Sequence, residues 1–196
     1  DITALALQQT AEQGHGNLPA LWQSVPKHLQ QNSAVLAAYA QAAAQVRHPE
    51  WALPLLVKAL KREWHSELVQ AYALLAGHDA KKSLVQCEAW RKLHPEDADL
   101  EQMMGQLCRQ QALWGKARDH FERSISLRPS ADAYRSLGDF LTERGENDAA
   151  LICYRNALKV KQGGVPQRLP APEASQPVMI SHDSAQDNVK TPRDYA

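Results

Sequence analysis

Chemistry in this chain would have to come from its eight histidines, three cysteines and five tryptophans. Histidine can ligate a porphyrin iron, and tryptophan can stack on the macrocycle. The histidines are His15, His28, His48, His65, His78, His94, His120 and His182. No Cys-x-x-Cys-His run exists for covalent haem attachment, and no Cys-Pro dipeptide occurs. His48 and His94 stand beside prolines at helix junctions, where a helix C-terminus favours a cationic ring. His120 precedes Phe121 within a helix and is expected at the surface beside that aromatic. Trp22, Trp51, Trp64, Trp90 and Trp114 are expected to wedge between helices, where an indole buries a large area. Cys87, Cys108 and Cys153 are odd in number and form no Cys-x-x-Cys pair. They are expected as small core residues, not as a disulfide framework or zinc site, and they lean towards a reducing compartment. The neighbours His78-Asp79 and Asp119-His120 would point roughly 100° apart on a helix, so neither forms a catalytic pair. No Gly-x-Ser-x-Gly elbow or phosphate-cradling glycine loop occurs. The expectation is a chain with no catalytic residue, no metal and no resident cofactor.

Bulk properties narrow the partners. Lysine plus arginine and aspartate plus glutamate each number 22, giving zero formal net charge. Such a chain lacks the positive field that holds nucleic acid. No apolar run is long enough to span a bilayer. The chain starts at Asp1, with no basic stretch leading into an apolar one. The expectation is a processed chain or a fragment, from which a targeting or membrane segment could be missing.

The elements that must position these residues are repeats. Leu100–Pro129 can be slid onto Ala133–Lys161 by 33 residues. Gly105 then falls on Gly138, Met104 on Leu137, Ala117 on Ala150, Phe121 on Tyr154 and Ser124 on Ala157. This resembles the tetratricopeptide (TPR) pattern. Glycine in the first helix and a small residue in the second let two antiparallel helices approach closely. The aromatic fills the gap towards the next repeat, and Pro129 ends the second helix because proline lacks an N–H. A lone pair cannot bury its apolar face, so pairs must stack. Ser33–Trp64 is a weaker copy, with Leu36, Tyr39, Ala40, Ala43, Ala52, Leu56 and Ala59 at the small and large positions. Glu67–Pro95 is a degenerate one.

The fold class is therefore all-α, a TPR-like solenoid, a right-handed superhelix of antiparallel helix pairs. N-terminal helices within 1–32 would pack on the array. Four repeats would follow at 33–66, 67–97, 98–130 and 131–162. Helices are expected at Ile2–Gln13, Pro19–Ser24, Ser33–Val46, Glu50–Arg62, Glu67–Leu75, Ala80–Leu93, Ala98–Gln110, Leu113–Leu127, Ala131–Arg144 and Glu146–Lys161. From Gly163 to Ala196, prolines crowd a polar stretch without helical period, and this tail is expected to be disordered.

Several segments carry a more specific resemblance. They are Leu21-Trp22-Gln23-Ser24-Val25-Pro26, Ala34-Val35-Leu36-Ala37-Ala38-Tyr39-Ala40, Leu60-Lys61-Arg62-Glu63-Trp64, Cys87-Glu88-Ala89-Trp90 and His94-Pro95-Glu96-Asp97. The most distinctive is Leu113-Trp114-Gly115-Lys116-Ala117-Arg118. Together they resemble the HemY family, in its proteobacterial form, over residues 1–160. The resemblance implies a bacterial inner-membrane protein associated with haem or porphyrin metabolism, a scaffold or regulator without catalytic residues. It also implies two membrane helices upstream of this chain, a membrane-anchored full-length protein and a soluble domain on the cytoplasmic side.

In TPR arrays the first helix of each pair lines the inner groove. The groove candidates are Asp99, Gln102, Met103, Gln106, Arg109 and Gln110 in the third repeat. In the fourth they are Asp132, Arg135, Ser136, Asp139, Thr142 and Glu143, with Arg135 and Asp139 foremost. In the first they are Ala34, Ala37, Ala38, Gln41, Ala44 and Gln45. Amides, methionine and mixed charge suit an extended or helical peptide. The reading is a non-enzymatic scaffold that binds a protein partner, either a peptide or an enzyme of haem metabolism. The alternative is direct binding or carriage of haem.

Overall fold

The structure, a computed structural model, describes residues 18–169 of the 196-residue chain. The helix expected over Ile2–Gln13 and the tail beyond Leu169 lie outside the described residues. The described helices are α1 (Leu18–Ser24), α2 (Lys27–Gln30), α3 (Ser33–Gln45), α4 (Leu53–Arg62), α5 (Ser66–Ala76) and α6 (Ala80–Leu93). They continue as α7 (Ala98–Gln110), α8 (Trp114–Leu127), α9 (Ala131–Glu143) and α10 (Asn147–Lys161). There is no strand among the described residues.

Local chemistry sets the helix starts. Asn32, Asp79, Asp97 and Ser130 each turn a side-chain oxygen onto backbone N–H groups of the first turn of α3, α6, α7 and α9. Two helix starts differ from expectation by more than one residue. The segment from Glu50 opens as a 3₁₀ turn, Pro49–Trp51, and α4 begins at Leu53 with Pro54 in its first turn. The single turn α2 had not been expected, since four residues after Pro26 carry no period.

The first helices of the pairs, and α10, end by one rule, with one exception. After α3, α7, α9 and α10 the chain turns through a residue of positive φ: Arg47, Ala112, Gly145 and Gly163. Each time the next N–H reaches back five residues, as Leu113 N does to Cys108 O at 2.9 Å and Glu146 N to Leu141 O at 2.9 Å. Ala112, at φ 55°, holds the place that Gly145 holds one repeat later. A Cβ in the left-handed region is strained, so Ala112→Gly is expected to raise stability by up to about 1 kcal/mol. Urea denaturation would check this, and an unchanged or lowered midpoint would contradict it. The exception is α5, which continues through the 3₁₀ turn Gly77–Asp79 straight into α6.

That exception divides the array. In the α7–α8 and α9–α10 hairpins the helices pack closely along their length. A Cβ on Gly105 would stand 2.7 Å from the Phe121 ring, and one on Gly138 would stand 2.8 Å from the Tyr154 ring. At the same register in the earlier hairpins stand Tyr39 and Tyr72. Tyr39 stacks on Trp22 at 4.4 Å, and Tyr72 meets Trp90 edge-on at 4.9 Å. With tyrosine in place of glycine, α5 and α6 make hardly any close backbone contact. A cleft of about 930 Å³ opens there, lined by Leu53, Pro54 and Val57 of α4, Tyr72 of α5, and Ser83 and Ala89 of α6.

The first helices of the pairs stack in order, α3 on α5, α5 on α7 and α7 on α9. Buried apolar residues gather in two clusters that divide along α7: Met103, Met104 and Leu107 belong to the first, and Cys108 opens the second. All three cysteines are buried and free. At the C-terminal end the chain beyond Gly163 folds back. The buried Asn156 side chain accepts from Gln167 N and donates to Gln167 O, both at 2.7 Å. Leu169 packs on the second cluster. Within the stretch expected as tail, Gln167 and Leu169 thus touch the array, while Val165 is exposed.

Candidate functional site

Stacking sets α5, α7 and α9 side by side. A groove of about 490 Å³ is lined by Gln70 and Ala73 of α5, Asp99, Gln102, Met103 and Gln106 of α7, Arg128, and Ser130, Asp132 and Arg135 at the start of α9. Six of the residues read from the sequence meet there: Asp99, Gln102, Met103, Gln106, Asp132 and Arg135.

Most of their polar atoms are already engaged. Asp99 accepts from Ser66 Oγ, from Gln70 Nε2 at 3.4 Å and from the Arg128 guanidinium. Gln102 Nε2 donates to Ser136 Oγ at 3.3 Å, linking α7 to α9. Met103 touches the groove but is buried in the first core cluster, so it serves packing more than contact. Arg135 pairs with Asp132 one turn away, and both are well exposed.

Of the remaining candidates, three on α7 and α9 show why they lie outside that lining. Arg109 makes a paired hydrogen bond to the Glu143 carboxylate and reaches Gln106 Oε1 at 3.4 Å, holding α7 against α9. Asp139 Oδ1 accepts from Tyr154 OH at 2.9 Å, within the last hairpin. Gln110 lies over Gly77, where an added Cβ would stand 2.8 Å from its amide nitrogen. These three side chains bridge helices; the distances that matter are between pairs, which spacing within one helix does not reveal. Two further ties join neighbouring repeats: Ser33 Oγ donates to Glu67 at 3.1 Å, and Trp64 Nε1 donates to Asp97 Oδ2 at 2.7 Å.

The aromatic residues serve these joints. His94 stacks on Trp64 at 3.9 Å and His48 on Trp51 at 4.2 Å, with His48 Nδ1 2.8 Å from Glu50. Trp114 is partly exposed, with the Arg144 guanidinium 5.0 Å from its ring centroid. Among the described residues no group of three or more His, Cys, Asp or Glu could hold a metal ion. No helix among them is long and apolar enough to cross a membrane.

His120 departs most from expectation. It is 8% exposed, not a surface neighbour of Phe121. Its Nδ1 stands 2.6 Å from Oε2 of Glu101, a residue only 1% exposed. Burial pushes the imidazole pKa down, but bonding to Cys108 and Glu101 and the Glu101 charge outweigh it and raise it to about 9. The ring is therefore cationic at neutral pH. The residues are 19 apart on different helices. One sequence signal could have found them: Glu101 falls, at 33-residue spacing, in register with Val35, Leu68 and Tyr134.

No family model matches the chain. No curated protein matches it in sequence. Solved structures do match. "MamA 41-end from Desulfovibrio magneticus RS-1" aligns with a TM-score of 0.53 at 15% identity, over 83% of this chain and 97% of that one. A structure described as "Crystal structure of MamA protein" aligns at 0.50 and 18% identity, over 86% and 98%. The chain is a TPR-like α-solenoid. At these identities the likeness establishes the fold and nothing finer.

Proposed function

We propose that this chain is a non-enzymatic scaffold whose α5–α7–α9 groove holds a segment of a protein partner. The observation that carries the reading is the groove itself: three stacked helices present the Gln70 and Gln106 amides and Arg135 around the small Ala73. Glutamine both donates and accepts, so it suits the alternating N–H and C=O groups of an extended peptide. Ala73 leaves room for that backbone.

The finer reading rests on the segments that resemble the HemY family. On that basis the partner is a protein of haem or porphyrin metabolism, and the scaffold acts at a bacterial inner membrane, on its cytoplasmic side, within a membrane-anchored full-length protein.

Affinity capture from proteobacterial membranes and lysate tests both parts, with this chain as bait. The expected result is enrichment of one protein, lost with Ala73→Glu and with Arg135→Glu. Both sites are exposed, so neither change should unfold the chain, whereas Arg109→Glu would break the α7–α9 tie to Glu143. Retention of the partner by both variants would eliminate the groove. An enriched partner from outside haem metabolism would eliminate the pathway assignment alone.

A further inference from the structure

Glu101 and His120 occupy places that are otherwise apolar or small in the array. In register with Glu101 are the buried Val35, Leu68 and Tyr134; in register with His120 are the buried Cys87 and Cys153. A buried ion pair adds little stability over hydrocarbon of the same volume, because both charges must leave water. Core stability alone therefore does not account for the two residues.

What lies beside them is informative. A cavity of about 610 Å³, open to solvent, is lined by Glu88, Arg91 and Lys92 of α6, by Pro95, by Glu101 and by Arg123 of α8. Glu101 Oε2 is taken by His120, but Oε1 has no hydrogen-bond partner despite its burial. Arg123 Nε comes within 3.3 Å of Oε1 without hydrogen-bond alignment, while its Nη2 donates to Pro95 O at 3.0 Å. A buried carboxylate oxygen left without a donor carries a desolvation penalty that an occupant could relieve.

The cavity makes two demands on that occupant. It must donate a hydrogen bond to Oε1, and it must bring negative charge to Arg91, Lys92 and Arg123. Fully deprotonated phosphate meets the second demand and fails the first. An ammonium alone meets the first and is repelled by the three cations. A molecule carrying both charges a short distance apart meets both, and its ammonium is drawn to Glu88 as well.

We propose that this cavity binds a small zwitterion of the α-amino acid class, with its ammonium on Glu101 Oε1 and Glu88 and its carboxylate on Arg91, Lys92 and Arg123. This site shares no lining residue with the α5–α7–α9 groove and is independent of the scaffold reading.

Isothermal titration calorimetry on the full 196-residue chain tests the assignment. The probes are the free proteinogenic amino acids one at a time, with acetate, inorganic phosphate and betaine, whose nitrogen carries no proton, as controls. At least one amino acid should bind saturably below about 10 mM, with acetate and betaine at least tenfold weaker. Arg91→Ala with Lys92→Ala should remove the binding; both side chains are exposed, so circular dichroism should stay unchanged. Glu101→Gln keeps the volume and removes the charge, and should weaken binding at least tenfold. No saturable binding of any amino acid to the folded chain would overturn the proposal. So would phosphate or betaine binding as tightly as the best amino acid, or full binding by the Arg91/Lys92 variant.

Discussion

Replacing His120 with alanine is expected to destabilise the chain by about 3–5 kcal/mol, the usual result of removing one partner of a buried ion pair. The change leaves the buried Glu101 side chain at the α7–α8 junction with only the half-exposed Arg123, whose Nε lies 3.3 Å from Oε1, as an ionic partner. It also removes the packing of a buried ring. Replacing both residues together, Glu101→Leu with His120→Leu, should recover most or all of the loss. The array already accepts hydrocarbon there, as Val35 and Leu68 show in the earlier repeats. The pH dependence separates this account from a simple packing defect. His120 titrates near 9 in the folded chain, above the ordinary value of about 6.5. The folded state therefore holds a proton that the unfolded state releases, and the ion pair contributes fully below about pH 6.5. That contribution is lost as pH rises through about 9. Urea denaturation across this range should show wild-type stability falling, and the double-leucine variant should lack that component. A His120→Ala chain as stable as wild type at neutral pH would refute the buried pair.

Register explains why part of this molecule was legible in its sequence. Gly105 and Gly138 repeat at 33 residues with Phe121 and Tyr154, and the two hairpins they build are the closely packed ones. Caps such as Asp97 and Ser130 are local signals, and the boundaries of α6 and α7 agree with the sequence reading because little beyond the cap and the following turn determines them. The first two hairpins were harder. Tyr39 and Tyr72 have the size of core residues, yet they stand where a close approach needs glycine, so the same period builds a more open pair.

The groove was legible only in part, for a related reason. Spacing along α7 places Asp99, Gln102, Gln106 and Arg109 on one broad face. Whether such a residue meets a ligand or the next repeat depends on the neighbouring helix. Glu143 on α9 takes Arg109, and Ser66 and Gln70 on α5 take Asp99. These are contacts between repeats, and no periodicity within one repeat contains them. The Glu101–His120 pair was hidden the same way: each residue looks like an ordinary solvent-facing side chain until the register with Leu68 and Cys87 is drawn.

The close approach in the third hairpin can be tested by its coupling. Phe121→Ala should cost about 3–5 kcal/mol, since the ring is fully buried and fills the space beside Gly105. Gly105→Ala has two opposed effects. Helix propensity favours alanine by about 1 kcal/mol, but the new Cβ would stand 2.7 Å from the Phe121 ring, a contact requiring movement in a packed core. The clash should win, for a net loss of about 1–3 kcal/mol. Gly115→Ala is the control: nothing lies within 4 Å of its Cβ position, so propensity acts alone and stability should rise. With the ring gone, the clash goes too. In a Phe121→Ala background, Gly105→Ala should become neutral or stabilising, giving a coupling of at least about 1 kcal/mol in a double-mutant cycle read by urea denaturation. Additive effects would mean that the glycine is not what lets α7 and α8 approach, and the same explanation for the open hairpin at Tyr72 would fall with it.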